Sequence, residues 1–416
     1  MIKVITYGTY DLLHYGHIRL LERAKSLGDY LIVGVTSDDY DKARGKINNQ
    51  QSLMERVAAV KSTGIADEVI VEEYEGQKID DIRRYDIDIF TVGSDWKGKF
   101  DYLNEYCKVI YLPRTEGVSS SEIRSERRNI TIEIVGESAI GAKFCNESSF
   151  VNGAEIVESG GQALYLISPP EFHYRQIIDA VLKGKHVLCE APIALTKEEC
   201  VNAYLLAAKN KCIILEGIKT AYSTAYERLV LISKSGKIGD ILSVDATCTS
   251  MKYLGDEIEK SWNSICAWGP TAMLPIFQIL GTNFVSKKIT THLLDEKQLF
   301  DGFTKVDFIY PKAVASIKVA KGAKSEGELI ITGTKGYIYV PAPWWKTDYF
   351  EVRFENPADN KRYFYQLDGE GIRYEIAAFT RSIESGKSNF FVGQEVSEAI
   401  SGVIEDFYKK QDVTYI

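Results

Sequence analysis

Hydrophobic and polar positions follow two different rhythms along this chain. Through the first ~110 residues, apolar strand-like runs at 2–7, 30–36, 68–72, 88–93 and 108–112 alternate with helically spaced stretches, notably 17–28, 52–63 and 76–85. That alternation predicts a parallel, doubly wound α/β sheet with ligands at the carboxyl ends of its strands. Residues 121–130 are charged and read as a helical connector. A second strand–glycine–helix opening starts at once, Ile130–Gly136 leading to Gly141. In the last third the rhythm changes. β-Branched and aromatic residues alternate over 242–253, 304–322, 327–341 and 349–366, and helical patterns at 372–386 and 393–410 close the chain. No internal repeat or low-complexity run stands out.

Length and composition bound the picture. At 416 residues two or three domains are expected. Hydrophobic residues at 45% and aromatic residues at 11% are those of a folded globular protein. A net charge of −8 favours neither nucleic acid nor an anionic membrane surface as partner, so an anionic nucleotide has to be met by local basic groups. The chain opens on a core strand without a basic-then-apolar leader, and no apolar run approaches the ~20 residues of a membrane span. The seven cysteines (107, 145, 189, 200, 212, 248, 266) are scattered, with no Cys-x-x-Cys pair, and read as buried thiols in a reducing cytoplasm.

The chemistry concentrates in the first turn. After the strand at 2–7 come Gly8, Thr9, Tyr10, Asp11, His14, Gly16 and His17, with Ile18, Leu20, Leu21 and Ala24 continuing as a helix. A helix N-terminus offers backbone N–H groups and a positive dipole end. His14 and His17 add donors over the same spot, which suits the charge that develops on a phosphate under attack. Two of the chain's five histidines lie in these four residues, which argues against an incidental pair. Farther on, Gly93 and Asp95 follow a strand, as do Arg114, Thr115, Ser119, Ser120 and Ser121. Hydroxyls before a helical run can cap it or donate to phosphate oxygens, and Arg114 would add a bidentate clamp.

His14-x-Gly-His17 is similar to the signature of the nucleotidyltransferase superfamily that lacks a Walker loop. The longer stretches Gly8–Leu31, Gly93–Phe100 and Arg114–Ser121 resemble the glycerol-3-phosphate cytidylyltransferase family, in its motif order and spacing, over residues 1–126. The resemblance implies a Rossmann-like domain that transfers CMP from CTP to the phosphate of a small polyol or sugar, releasing pyrophosphate, for cell-surface polysaccharide precursors. His14 and His17 would stabilise the transition state, and Thr9, Arg114 and Ser119 would bind phosphate oxygens. Lys46, with Arg44 as a lesser candidate, fits the family's mobile basic loop and fits equally an ordinary solvated charge. Mg²⁺ would come with CTP and not as a caged metal; Asp11 and Asp95 are cation or ligand contacts. Adenylyl transfer is the competing reading of the same histidine motif.

Residues 130–416 resemble the glucose–fructose oxidoreductase / inositol dehydrogenase family through Leu166–His173, Gly184–Pro192, Ser235–Gly239 and Gly333–Val340. The implied fold is a Rossmann-like domain over 130–230, here shortened, and an α+β domain over 231–416 with a mostly antiparallel sheet used for homodimer formation. The family's chemistry is poorly represented. Its Glu-Lys-Pro tripeptide stands as Glu190-Ala191-Pro192, and its downstream acid and histidine align with Ala267–Pro275, where Ala267, Thr271 and Leu274 stand instead. Ser138 takes the place of the second glycine in Gly136–Gly141. Only 159–162 separate a strand ending near the acidic pair Glu155 and Glu158 from the next at 163–168, where a parallel crossover needs about a dozen residues. These departures speak against NAD(P) binding and for a non-catalytic dimerisation module. The alternative is a bifunctional enzyme that also reduces a CDP-linked keto-sugar with NAD(P)H. For it Lys219 is the one substitute acid nearby, unless that lysine simply pairs with Glu190 or Glu216. The Pro343–Lys346 turn, with Trp344 and Trp345, reads as an exposed loop or dimer contact.

Overall fold

A computed structural model of the protein describes residues 1–11, 13, 15–37, 51, 53–74, 76–113, 129–151, 153–251, 262–365, 367–388 and 391–416. The connector at 121–128, His14, Arg44, Lys46 and 114–121 lie outside the described residues. The chain divides into two compact units, Met1–Arg127 and Arg128–Ile416.

In the first unit, strands β1 (Lys3–Gly8), β2 (Tyr30–Thr36), β3 (Glu68–Glu72), β4 (Ile89–Gly93) and β5 (Lys108–Leu112) form a parallel sheet in the order β3-β2-β1-β4-β5. Helices α1 (Tyr15–Lys25), α2 (Leu53–Ser62) and α3 (Gln77–Tyr85) form the crossovers. Strand order reverses between β1 and β4, so Gly8 and Gly93 end neighbouring strands at the switch point. Ile5, Tyr7, Ile32, Ile70, Ile82 and Phe90 fill one face of the sheet.

The second unit holds two sheets. β6 (Ile130–Val135), β7 (Ala154–Val157), β8 (Ala163–Leu166), β9 (His186–Glu190) and β10 (Ile214–Gly217) are parallel, in the order β10-β9-β8-β6-β7. Helices α4 (Ala139–Ser148), α5 (Pro170–Leu182) and α6 (Lys197–Lys209) connect them. The segment between β7 and β8 is no crossover. β7 pairs with the first half of β6 (Ile130–Glu133) and β8 with its second half (Ile132–Val135), on the other side. The chain therefore only has to step sideways over β6. It does so against the strand's backbone: a Cβ on Gly161 would lie 2.7 Å from the amide nitrogen of Glu133. The strand–helix unit that normally follows the second strand is missing, so the sheet is a shortened one.

A helix from far down the chain, residues 372–385, packs beside α4 on the same face of this sheet. After α7 (Thr224–Lys234), β11 (Ile241–Thr249) starts the second sheet, and α8 (Ser264–Leu280) packs against it. β12 (Ser286–Asp295), β13 (Phe300–Ile309), β14 (Val314–Ala320), β15 (Leu329–Gly333), β16 (Gly336–Val340), β17 (Tyr349–Phe354) and β18 (Lys361–Phe364) follow, then α9 (Ile372–Ser385), α10 (Gln394–Tyr408) and β19 (Val413–Tyr415). The order is β18-β17-β16-β15-β11-β14-β13-β12-β19, antiparallel except for the pairs β11–β14 and β12–β19. The long alternations at 327–341 and 349–366 are each a hairpin; 286–295 and 413–415 are strands the hydropathy pattern did not single out. Ile372, Ile376 and Phe379 of α9 join Phe144, Tyr165, Leu188 and Leu215 over the parallel sheet.

Two expectations are corrected here. Trp344 is fully buried, its indole donating to the Thr247 carbonyl at 3.0 Å, so the 343–346 turn is anchored in the core and not an exposed loop. The cysteines are all free, but Cys145 is exposed and Cys107 half-buried.

Candidate functional site

The turn after β1 is built on a tyrosine folded back. Tyr10 is buried, with φ +53°, and its ring lies so close to Gly8 that a Cβ there would be 2.9 Å from it. Only glycine leaves room for that ring. Its far side meets the imidazole of His17 edge-on, ring centres 5.5 Å apart. His17 and Gly16 stand in the first turn of α1, so the sheet edge, the turn and the helix start are packed into one piece.

Thr9 and Asp11 are held from outside that piece. The Thr36 hydroxyl, at the end of β2, donates to the Thr9 hydroxyl at 3.2 Å. Asp11 accepts from the Gln51 amide at 2.9 Å. Arg56 of α2 is fully buried and donates to the carbonyls of Thr9 (2.7 Å) and Thr36 (2.9 Å) and to that of Gln51 (3.2 Å). This guanidinium fixes the turns after β1 and β2 together. The sequence reading missed it; the available signal was an arginine among the buried Leu53, Met54, Val57 and Val60 of α2. At the neighbouring edge Gly93 faces open space, and Asp95 is exposed within a short 3₁₀ turn, Ser94–Trp96. Arg23 of α1 donates to the Pro113 carbonyl at 2.7 Å, one residue before Arg114. Gly8, Thr9, Tyr10, Asp11, Gly16 and His17 are thus brought together, with Gly93 and Asp95 at the end of the adjoining strand. His14, Lys46, Arg114, Thr115, Ser119 and Ser120 fall outside the described residues.

The corresponding turn of the second unit is self-satisfied. Ser138 is the N-cap of α4 and its hydroxyl accepts from the Ile140 amide at 3.3 Å, using a donor that a bound phosphate would need. Glu133 is engaged by Lys185 (3.0 Å) and by the Gly161 amide (3.3 Å), inside the step that replaces the missing strand–helix unit. Glu155 and Glu158 are exposed.

At the carboxyl end of this sheet sits a half-buried carboxyl group. Glu190 accepts from the Tyr165 hydroxyl, and burial pushes its pKa up to about 7. Burial and the nearby Glu190 also push Glu375 upward, with the positive charge of Lys219 opposing in both cases. Lys219 pairs with neither Glu190 nor Glu216. Its ammonium lies 2.9 Å from Glu370, which also takes Lys346 (2.9 Å) and Lys143 (3.3 Å). Partial burial works to raise Glu370, but hydrogen bonds from Lys346 and Lys219 win and hold it down to about 2. Ala191 is buried in the core, and the stretch aligned with the family's acid and histidine is the interior of α8, with Leu274 fully buried and Trp268 against Trp345 at 5.0 Å. His173 of the Leu166–His173 motif is fully buried, with ring nitrogens 2.8 and 2.7 Å from the carbonyls of Pro192 and Ser168. It ties the turns after β8 and β9 together, which explains the motif structurally.

Residues 5–126 match the family model described as cytidylyltransferase-like. A glycerol-3-phosphate cytidylyltransferase of Bacillus spizizenii is 52% identical over 130 residues, 31% of this chain and 100% of that protein. The chain belongs to the cytidylyltransferase-like family. It is a nucleotidyltransferase, whose first unit answers to the full length of such relatives. Residues 127–218 match the model described as oxidoreductase family, NAD-binding Rossmann fold, so an oxidoreductase-type domain follows. Two solved structures share that fold. One is an inositol dehydrogenase homologue from Azotobacter vinelandii complexed with NADH and myo-inositol (12% identity, TM-score 0.57, 68% of this chain and 96% of that one). The other is a 3-ketoreductase from Actinomadura kijaniata in complex with NADP and TDP-benzene (11%, TM-score 0.54, 100% and 99%). Among the described residues no helix is long and apolar enough to cross a membrane, and no group of three or more His, Cys, Asp or Glu is placed to hold a metal ion.

Proposed function

We propose that the first unit transfers CMP from CTP to the phosphate of a small polyol or sugar, giving a CDP-linked precursor for cell-surface polysaccharide and releasing pyrophosphate. The observation that carries this reading is the packed turn of Gly8–His17 at the sheet's switch point, in a unit half identical to whole proteins named for glycerol 3-phosphate. A phosphate oxygen of the acceptor attacks the α-phosphorus in line. The bond to the β-phosphate's bridging oxygen breaks, and pyrophosphate carries away the electron pair. His17, with His14, stabilises the charge on the α-phosphate. Thr9, Arg114, Ser119 and Ser120 hold phosphate oxygens, Lys46 neutralises the leaving end, and Thr115 with Gly93 and Asp95 borders the nucleotide. Mg²⁺ would accompany the triphosphate as counter-ion, and Asp11 and Asp95 are the carboxylates that would meet it.

In this reading the chain has three working parts, 1–126, 130–230 and 231–416, in the cytoplasm, and it pairs as a homodimer through the second sheet. The second unit's residues do not fit a bound dinucleotide. Ser138 occupies its own helix cap, and the adenosine-side unit is replaced by a five-residue step. Reduction of a CDP-linked ketose is therefore the weaker alternative, with Lys219 and Glu190 as its candidate acid–base groups. Screening phosphorylated polyols and sugars for pyrophosphate release with CTP, and with ATP as the adenylyl control, tests the proposal. Release with ATP alone would overturn it.

A further inference from the structure

Three lysines of the second unit converge on a single carboxylate. Lys143 comes from α4, Lys219 from the 3₁₀ turn Lys219–Tyr222 after β10, and Lys346 from the turn Trp344–Lys346 after β16. Lys219 and Lys143 share one oxygen of Glu370, at 2.9 and 3.3 Å, and Lys346 takes the other at 2.9 Å. Three ammonium groups against one carboxylate leave two surplus positive charges, in a chain whose net charge is −8. Neighbouring carboxyl groups do not supply the difference. Glu147 is taken by Arg373 at 3.1 Å, Glu190 accepts from Tyr165, and burial drives Glu190 and Glu375 toward their neutral forms. Like charges gathered this closely repel. The arrangement therefore suits an anion of more than one negative charge better than it suits a single glutamate.

Glu370 reaches the lysines from a backbone that glutamate disfavours. Its φ is +53°, and Gly369 (+56°) and Gly371 (+93°) flank it in the same left-handed region. Both glycines are pressed against neighbours. A Cβ on Gly371 would lie 2.7 Å from the Lys219 carbonyl, and one on Gly369 would run into the Glu147 carboxylate. The segment thus holds its carboxylate against the lysines at a conformational cost. The cluster is also open to solvent: the side chain of Glu370 is 35% exposed and that of Lys143 53%, so a small anion meets it without opening the core.

We propose that Lys143, Lys219 and Lys346 form a binding site for a phosphate group, with Glu370 as a tethered occupant that the phosphate displaces. A phosphate monoester carries close to two negative charges and three acceptor oxygens, which gives each lysine a partner of its own. The site stands whichever acceptor the first unit takes. Inorganic phosphate, pyrophosphate, glycerol 3-phosphate and CDP-glycerol share this chemistry and are the probes, titrated by calorimetry into the full-length protein at ~0.1 M chloride, where surface charges are well screened. Glu370→Gln removes the tethered competitor and should tighten at least one probe roughly ten-fold or more. Adding Lys219→Met to that variant should abolish the gain. Phosphate bound by the first unit is common to every variant and cancels in the comparison. The probe that gains names the source: a by-product for pyrophosphate or phosphate, the acceptor for glycerol 3-phosphate, the product for CDP-glycerol. Thermal melts report folding, and Glu370→Ser is the second variant if Glu370→Gln unfolds. If both unfold, or fold and bind no probe more tightly than the wild type, Glu370 is a structural latch and the proposal falls. A gain that survives Lys219→Met overturns it as well.

Discussion

In the first unit β1 ends at Gly8 and the chain turns through Thr9, Tyr10 and Asp11 into α1; in the second, β6 ends at Val135 and the chain turns through Gly136, Glu137 and Ser138 into α4. Both turns follow a parallel strand and precede a helix. In the first, an aromatic ring folds beneath the glycine and meets His17, and a buried arginine from another helix holds the two turns' carbonyls. In the second, the serine side chain turns back on its own helix, and Glu133 is taken up by Lys185 and Gly161. A strand–glycine–helix opening is thus only a frame. Whether it serves a nucleotide depends on which polar groups the surrounding elements leave for a ligand.

The largest expected difference between the two turns is catalytic. His17→Ala, and likewise His14→Ala, should lower pyrophosphate release from CTP by about 10²–10³, the usual cost of removing one preorganised donor from a charged transition state. Near wild-type turnover in a folded variant would remove the first unit's claim to the site. Next is Arg56→Met. It leaves the Thr9 and Thr36 carbonyls without their buried donor and should destabilise the first unit by about 2–4 kcal/mol, read as a lower denaturant midpoint for that unit with the second unit's transition unmoved.

A smaller effect sharpens the comparison from the other side. Glu216 is fully buried at the end of β10, with one oxygen accepting from the Ile193 amide at 3.1 Å; burial pushes its pKa up to about 7, against the opposing hydrogen bonds from Ser397 and Ile193. The folded state therefore holds this proton more tightly than the unfolded chain, whose glutamates titrate near 4.3. The stability this contributes is complete below about pH 4 and is lost as pH rises through about 7. Glu216→Gln should then stabilise the second unit by about 1–3 kcal/mol at pH 8 and give nothing at pH 4, measured by thermal melts at the two pH values. Stabilisation equal at both would remove the titration argument.

A chain ending near residue 128 should keep turnover within a few-fold of the full protein, since relatives of about that length match the first unit end to end. A folded truncation that binds CTP without turning it over would make the second unit part of the site. The smallest expected signal is none: NADPH or NADH added to the full protein should give no saturable change in nicotinamide fluorescence. Micromolar saturation would restore a working dinucleotide site to the second unit, and Lys219→Ala would be the first variant to make.

Much of this was legible along the chain because the relevant signals are local. Period-two and helical spacing, glycine after a strand, and a connection too short to cross back are properties of neighbouring residues, so the parallel sheets, the turn at Gly8 and the shortened second sheet could be read directly. Groups distant in sequence could not. Lys219 meets Glu370, 151 residues on, because α9 returns to the parallel sheet. Trp344 is core because Thr247 accepts from its indole. Arg56 looks like an ordinary helix charge until α2 brings it to the carboxyl edge. Burial and hydrogen-bond partnership are set by elements packing against one another, and that packing alone decided which polar residues are satisfied internally and which are left for a ligand.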